Sequence, residues 1–506
     1  MPEPEDAPPT LYDVVEYPAK PYTATHPDRL CTLGRLHGLP AADPRSCRLL
    51  EIGCSDGGNL LAMAVGLPGS RFVGVDYAPT SIQAAQAAAR ATGLANVEFL
   101  SGDLRRLGPE LGQFDYLVAH GVYSWVPPDV QNALLALARR VLAPSGIAFV
   151  SYNALPGGYL RKIARDLVRF HVRGETDPER MIESALNFLS ETTARVPADD
   201  PYRAALEREL TRLVRAGTSF VFHDVLSPEN ESLYFEAFAE RAAALGLSYL
   251  TEAHFFESHS GAELAGGRAL APETANRDVV RAEQYLDFAR GRAFRQTLLV
   301  RDDARFDRTF APSRVEELRA VARVEIVPRE DDAAGSQLER FRAGAGAIVT
   351  TDDPIAKIAL AELGNAWPKT LSFDELVAAE RNRCAPDVKD GELRTALARV
   401  LLQLFGGNVL ELRMTEPANA KTVGEKPRAS ALARHQARES DQVTNLRHAR
   451  VSVEDPGLRS LLLLLDGTRT REELLAALTE LEGGADWTAA RIEAFLGEIC
   501  ARGLLV

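Results

Sequence analysis

Between Leu49 and Leu60 the chain reads Leu-Leu-Glu-Ile-Gly-Cys-Ser-Asp-Gly-Gly-Asn-Leu. A short apolar strand ends in an acid, and a glycine turn leads straight into a helical run from Asn59 to Val65. A strand that turns directly into a helix commits the next strand to lie parallel, with the helix covering the sheet. The rhythm then repeats. Strands are predicted at 48–53, 71–76, 97–102, 114–120 and 147–153, with helices at 58–66, 79–92 and 128–141. Pro144-Ser-Gly146 is a stop signal before the fifth strand. The pattern is that of a doubly wound α/β sheet with right-handed crossovers.

The turn chemistry narrows what such a sheet binds. Glycines at 53, 57 and 58 let the backbone pass close to a ligand, and the free amides opening the helix face it. A dinucleotide fingerprint would read G-x-G-x-x-G. Here the spacing is Glu51-x-Gly53-x-x-x-Gly57-Gly58, with a carboxylate ahead of the first glycine. That acid suits a cationic amino-acid group better than a pyrophosphate. Asp76 closes the next strand about twenty residues on, the usual place for gripping a ribose diol. Gly102-Asp103 closes the third, where a carboxylate can accept an exocyclic amine of adenine. Three strand ends in order define one cofactor site.

These residues bring a family into view. Glu51-Ile-Gly-Cys-Ser-Asp-Gly-Gly58, Gly74-Val-Asp76, Gly102-Asp-Leu104 and Phe114-Asp-Tyr-Leu-Val-Ala-His120 resemble the class I S-adenosylmethionine-dependent methyltransferases. Further stretches are similar to the bacterial methyltransferases that carry a regulatory domain: Tyr22-Thr-Ala-Thr-His-Pro27, Gly57-Gly-Asn-Leu60, His120-Gly-Val-Tyr-Ser-Trp-Val126 and Ser151-Tyr-Asn-Ala-Leu-Pro-Gly157. Phe222-His-Asp-Val-Leu226 and Phe288-Ala-Arg-Gly-Arg-Ala-Phe-Arg-Gln296 belong to the same likeness. That group includes rickettsial protein-lysine methyltransferases acting on outer-membrane proteins. The resemblance covers most of the chain and thins beyond residue 300. It implies a Rossmann-like, seven-stranded class I domain with S-adenosylmethionine as cofactor and a protein or peptide side chain, lysine foremost, as acceptor. The cofactor set is then Tyr22, His26, Glu51, Gly53, Asp56, Gly57, Asn59, Asp76, Gly102, Asp103, Leu104 and His120.

The acceptor is expected at the loop after the fourth strand. Tyr123 and Trp125 offer a cation–π wall for an amine, and Tyr152 and Asn153 end the fifth strand at the same mouth. These four are the candidate catalytic residues. Asp56 has a second reading as a helix cap, and His223-Asp224 reads as a structural hydrogen-bond pair. Small-molecule methylation, or a non-enzymatic docking protein that binds cofactor, is the alternative function.

After Asn153 the βα rhythm breaks into three helical stretches near 158–173, 178–193 and 202–216. They read as an insertion, at 157–225, serving as lid or dimer surface. A helix at Ser232–Leu245, a strand at Ser248–Phe255 and a final antiparallel strand at Phe294–Val300 complete the sheet. The methyltransferase domain is thus 1–156 plus 226–304. Residues 305–416 and 452–506 read as α+β, winged-helix-like units. Between them, 418–450 holds seven Lys or Arg against three acids, net 7 − 3 = +4; residues 417–451 are therefore expected to be a solvated linker.

Composition excludes several classes. The chain of 506 residues carries 58 basic and 71 acidic side chains, net −13, which argues against general nucleic-acid binding. Five scattered cysteines without a C-x-x-C pair argue for a reducing cytoplasm and against a structural metal. The acidic, proline-rich start is unlike a signal peptide, and the apolar run Leu461–Leu465 is too short to span a bilayer.

Overall fold

The computed structural model describes residues 15, 20–259, 278–328, 338–344, 346–383, 389–481 and 487–506. Residues 1–10, whose acidic, proline-rich composition predicts disorder, lie outside them. Its centre is a sheet of β1 (Arg48–Ile52), β2 (Arg71–Asp76), β3 (Val97–Ser101), β4 (Phe114–Ala119), β5 (Leu142–Ala154), β6 (Ser232–Leu233), β7 (Leu247–Glu252) and β8 (Phe294–Arg301). The order is β3-β2-β1-β4-β5-β8-β7, with β8 antiparallel to both neighbours and β6 a short parallel addition to β5. Ser232 and Leu233 were expected to begin a helix. Instead they pair with Asn153 and Ala154, and the helix starts at Phe235.

Successive strand residues face opposite layers. Leu49 points into a core with α1 (Pro27–Leu36), α2 (Gly58–Gly66) and α3 (Pro79–Thr92), while Leu50 points into one with α4 (Pro128–Val141). Register aligns Glu51 with Gly74 and Val118, and Asp76 with Ser101. The carboxyl ends of β1 to β4 therefore share one edge. Strand order reverses between β1 and β4, which opens a crevice there.

The insertion is three helices, α5 (Gly158–His171), α6 (Pro178–Arg195) and α7 (Pro201–Ala216), followed by a π turn at Val221–Leu226. Ala164, Val168, Leu189, Leu206 and Leu213 form their common core. Next come α8 (Phe235–Ala244) and α9 (Val279–Arg290). The Phe288–Gln296 motif ties this edge together. Arg295 is fully buried, reaching Glu252 at 2.6 Å, Glu283 at 2.9 Å and Asp287 at 2.9 Å, with its guanidinium 3.8 Å from the Phe235 ring centre.

The middle unit holds β9 (Arg319–Val321), β10 (Val324–Ile326), β11 (Glu339–Ala343), β12 (Ile348–Thr351), α10 (Pro354–Ala366), β13 (Leu371–Ser372), α11 (Phe373–Arg383), α12 (Asp390–Gly406) and β14 (Glu411–Arg413). Glu375 and Ser372 cap α11 reciprocally, the side chain of each accepting the other's amide. This unit is not a separate bead, because one apolar cluster runs from Leu49 and Phe149 through Leu298 to Leu360 and Leu397.

The C-terminal unit contains α13 (Ala431–Gln436), β15 (Gln442–Thr444), β16 (Arg450–Ser452), α14 (Pro456–Leu464), α15 (Arg471–Leu481) and α16 (Ala489–Ala501). Here the linker expectation for 417–451 fails. Ala429, Ala433, Ala437 and Val443 are buried with Leu461, Leu474 and Ile492. The apolar stripe is built from alanines spaced four apart, and the flanking arginines mask it in the charge count. Among the described residues no helix is long and apolar enough to cross a membrane.

Arg295→Met is expected to be strongly destabilising. It leaves Glu252, Glu283 and Asp287 buried beside the partly engaged Arg292 alone, and breaking such a set costs about 3–5 kcal/mol. A melting curve should show a clear drop in Tm.

Candidate active site

A cavity of about 1360 Å³ fills the crevice, walled on one side by the strand ends and on the other by α5, α7 and the π turn. Gly53 lines it in the left-handed region, at φ 74°, and a Cβ there would sit 2.4 Å from Val122. Gly57, at φ 78°, is required for another reason: its Cβ would strike the Phe99 ring at 2.5 Å. Gly57 thus serves packing of the turn and does not line the cavity.

Glu51 is buried, and Asn59 donates to its Oε1 at 2.7 Å. Its Oε2 has no hydrogen-bond partner among the described residues. Burial, reinforced by Asp76 and Asp56 against the bond from Asn59, pushes its pKa up to about 8. Asp76 accepts from the amides of Ser55 at 2.8 Å and Ala78 at 2.9 Å, which shapes the turn and presents the carboxylate to the cavity. Gly102, Leu104 and Asp103 line the far end. Both Asp103 oxygens are held by the Arg105 guanidinium, which also bonds Asp129. Asp103 is thereby a clamped rim residue, more engaged than a free acceptor of an adenine amine would be.

Tyr22 packs on His120 with ring centres 3.9 Å apart, and its amide donates to Asn59 Oδ1 at 3.0 Å. Burial beside Glu51 raises the Tyr22 pKa, so the phenol stays protonated. Burial near Lys20 lowers His120 to about 4, so the ring is neutral, and its Nδ1 lacks a partner among the described residues.

Several expectations do not hold. Tyr123 and Tyr152 are fully buried behind the wall and do not line the cavity. Tyr152 stacks on Phe238 at 4.1 Å and shares a hydrogen bond with Thr297, and Tyr123 meets Phe238 edge-on at 5.2 Å. Alternation along β5 turns Tyr152 inward and leaves Asn153 at the mouth. His26 also misses the cavity. It caps α1, accepting from the Asp28 amide at 3.2 Å, and packs on His448. Asp56 accepts from the Gly58 amide at 3.1 Å, in keeping with its capping alternative.

Trp125 and Asn153 do face the cavity. Asn153 donates to Asn230 Oδ1 at 2.9 Å. His223 and Asp224 also line it, with His223 Nε2 bonded to the Val15 carbonyl at 2.6 Å. Among the buried polar atoms without partners, Glu51 Oε2, His120 Nδ1, Trp125 Nε1, Arg165 Nε and Gln296 Oε1 all belong to cavity-lining residues. A buried polar atom without a partner is costly, and so many around one void mark a ligand site.

Sequence reasoning missed His448. It lies in the β15–β16 turn at φ 58° and bonds Asn59 Oδ1 at 2.9 Å from 389 residues away. Nothing in local spacing announces such a contact. Arg161, Arg165 and Gln296 were missed as lining residues, although Gln296 closes a motif already singled out.

The sheet order and this strand-end site define a class I S-adenosylmethionine-dependent methyltransferase, and the family described as "Methyltransferase domain" matches residues 49–146. The "Predicted methyltransferase regulatory domain" matches 217–301, and the "PKMT, C-terminal winged helix domain" matches 425–491. An uncharacterized protein of Rickettsia prowazekii, RP789, is 30% identical over 478 residues, spanning 92% of this chain and 85% of that one. A second, RP028, is 34% identical over 46% of this chain and 93% of its own length. The solved structure of PKMT2 from Rickettsia typhi superposes with a TM-score of 0.81 at 25% identity, over 97% of this chain and all of that one. Its complex with AdoHcy superposes equally well, at 24% identity and 99% of its length. The chain belongs to this family of methyltransferases with a regulatory domain and a PKMT-type winged helix.

Two outcomes follow from the Glu51–Asn59–His448 arrangement. The folded pKa of Glu51 lies above its unfolded value of about 4.3, so folding takes up a proton and Glu51 costs stability increasingly as pH rises towards about 8. Glu51→Gln should therefore show a smaller fall in Tm than the parent over that range. His448→Ala removes one bond to a buried amide, and S-adenosylhomocysteine affinity measured by calorimetry should fall about tenfold.

Proposed function

We propose that the chain transfers a methyl group from S-adenosylmethionine to the side-chain nitrogen of a protein or peptide, with lysine as the acceptor. The observation that carries this reading is the cavity. At about 1360 Å³ it exceeds the 300–1,000 Å³ of a single small-molecule site, which leaves room beside the cofactor for an acceptor side chain between the strand ends and the insertion helices. PKMT2, which abbreviates protein-lysine methyltransferase, shares its fold over nearly the whole chain.

Glu51 Oε2 would hold the ammonium of the cofactor's amino-acid end, and Asp76 its ribose hydroxyls. The bound cofactor supplies an electrophilic methyl on a sulfonium. The protein's part is alignment and exclusion of water. His120, neutral through burial, adds no charge that would oppose the sulfonium. Trp125 and Val122 form a largely apolar throat. Presenting a lysine free amine at neutral pH costs about 4–5 kcal/mol from its pKa near 10.4. Desolvation and a neighbouring positive sulfonium both lower that value.

Asp76→Asn is expected to weaken S-adenosylhomocysteine binding about tenfold to a hundredfold in calorimetry, since bonds to a charged acceptor are the stronger ones. Incubation with methyl-labelled cofactor and lysine-containing proteins should put label on lysine by mass spectrometry. Label appearing only on small molecules would sink the acceptor assignment.

A further inference from the structure

The acceptor half of the cavity carries charge that folding leaves unneutralised. From α5 and α7 its lining includes Arg161, Lys162, Arg165, Arg212 and Arg215 against the single carboxylate Glu209. Lys162 is paired with Asp166, and Arg212 with Glu209. Arg161 and Arg165 stand apart. They lie one turn from each other on α5, both are half-buried, and among the described residues neither has a carboxylate within ion-pair distance. Their partners are backbone carbonyls: Ala293 for Arg161 at 3.3 Å, and Ser227 and Pro228 for Arg165 at 2.5 and 3.2 Å. Carbonyls orient a guanidinium without cancelling its charge. Arg165 Nε is buried and has no hydrogen-bond partner among the described residues.

The surroundings sharpen the imbalance. Burial lowers the pKa of both groups, Arg165 to about 10, and neighbouring cations, Arg212 and Arg208 for Arg161 and Arg169 for Arg165, push the same way. Glu209, Asp224, Asp166 and Glu229 oppose this, and Asp224 and Glu229 line the same cavity without forming an ion pair with either arginine among the described residues. Glu231, across the mouth, is engaged by Gln131 and Arg241. Two planar, pre-oriented, desolvated guanidiniums are suited to a carboxylate, which can take bidentate bonds.

We propose that Arg161 and Arg165 form an anion subsite that receives an Asp or Glu side chain of the substrate, close to the methylated residue. The inference rests on the protein-substrate reading above and adds a specificity element to it. Lysine segments with an acidic neighbour would be preferred, and the chain's overall negative charge makes a local cationic patch the means of holding them.

The test compares two lysine peptides that are identical except for Asp and Glu changed to Asn and Gln beside the lysine. For the parent chain the acidic peptide should have a KM about tenfold to a hundredfold lower, and the gap should shrink with salt. Arg161→Gln and Arg165→Gln should each erase most of that gap while S-adenosylhomocysteine affinity stays within twofold, a pattern that general misfolding would not produce. Equal KM values for the two peptides, or a preference that survives both substitutions, overturns the subsite. Binding of the acidic peptide with norleucine in place of lysine, followed by fluorescence anisotropy, separates the two readings. Arginine-dependent binding without methylation of any lysine peptide keeps the subsite and removes the lysine acceptor. An RNA oligomer that displaces the acidic peptide while acidic and neutral peptides bind alike removes the subsite as drawn.

Discussion

A buried carboxylate with one free oxygen organises this protein. Glu51 ends β1 inside the fold, where an ionised acid is costly, and Asn59 on α2 satisfies only one of its oxygens. The same Asn59 accepts from the Tyr22 amide and from His448, so the stretch just ahead of α1 and the C-terminal unit converge on a single amide. The charge state of Glu51, the seat of Tyr22 over His120 and the docking of β15–β16 are therefore aspects of one network. Asp28 supplies a second anchor beside it, accepting from the Met414 amide and Thr415 and pairing with Arg413.

This wiring explains why the units after residue 305 are not appendages. The middle unit shares an unbroken apolar core with the cofactor sheet, and Phe255 stacks on Phe405 at 4.7 Å. The C-terminal unit reaches cofactor-site residues directly. The antiparallel edge is held differently, by the buried charges around Arg295.

Much of the site was legible because its chemistry is local. Glu51, Gly53, Asp76, Gly102 and Leu104 sit at strand ends whose positions follow from apolar periodicity, and all of them line the cavity. The helices at 58–66, 79–92 and 128–141 were equally readable from their spacing and stops. Tyr152 misled because an aromatic at a strand end points either to the mouth or to the core, and one residue of register decides which; Tyr123 misled because the 3-10 turn after β4 turns it onto Phe238. His26 misled because a helix cap and a ligand group look alike in sequence. The segment 417–451 misled because its burial uses alanine, whose pattern is faint beside arginine.

The sequence by itself determined the doubly wound sheet, the cofactor class and the three helices inserted before the last strands. Each depends on contacts between near neighbours or on turn chemistry written in consecutive residues. Tertiary structure alone decided which polar atoms were left without partners, that Asn59 is shared with His448, and that Arg161 and Arg165 face the cavity bonded to backbone carbonyls, with no ion pair among the described residues. Those facts arise from side chains brought together across tens to hundreds of residues, where electrostatics and desolvation depend on distance and burial and no local pattern records either.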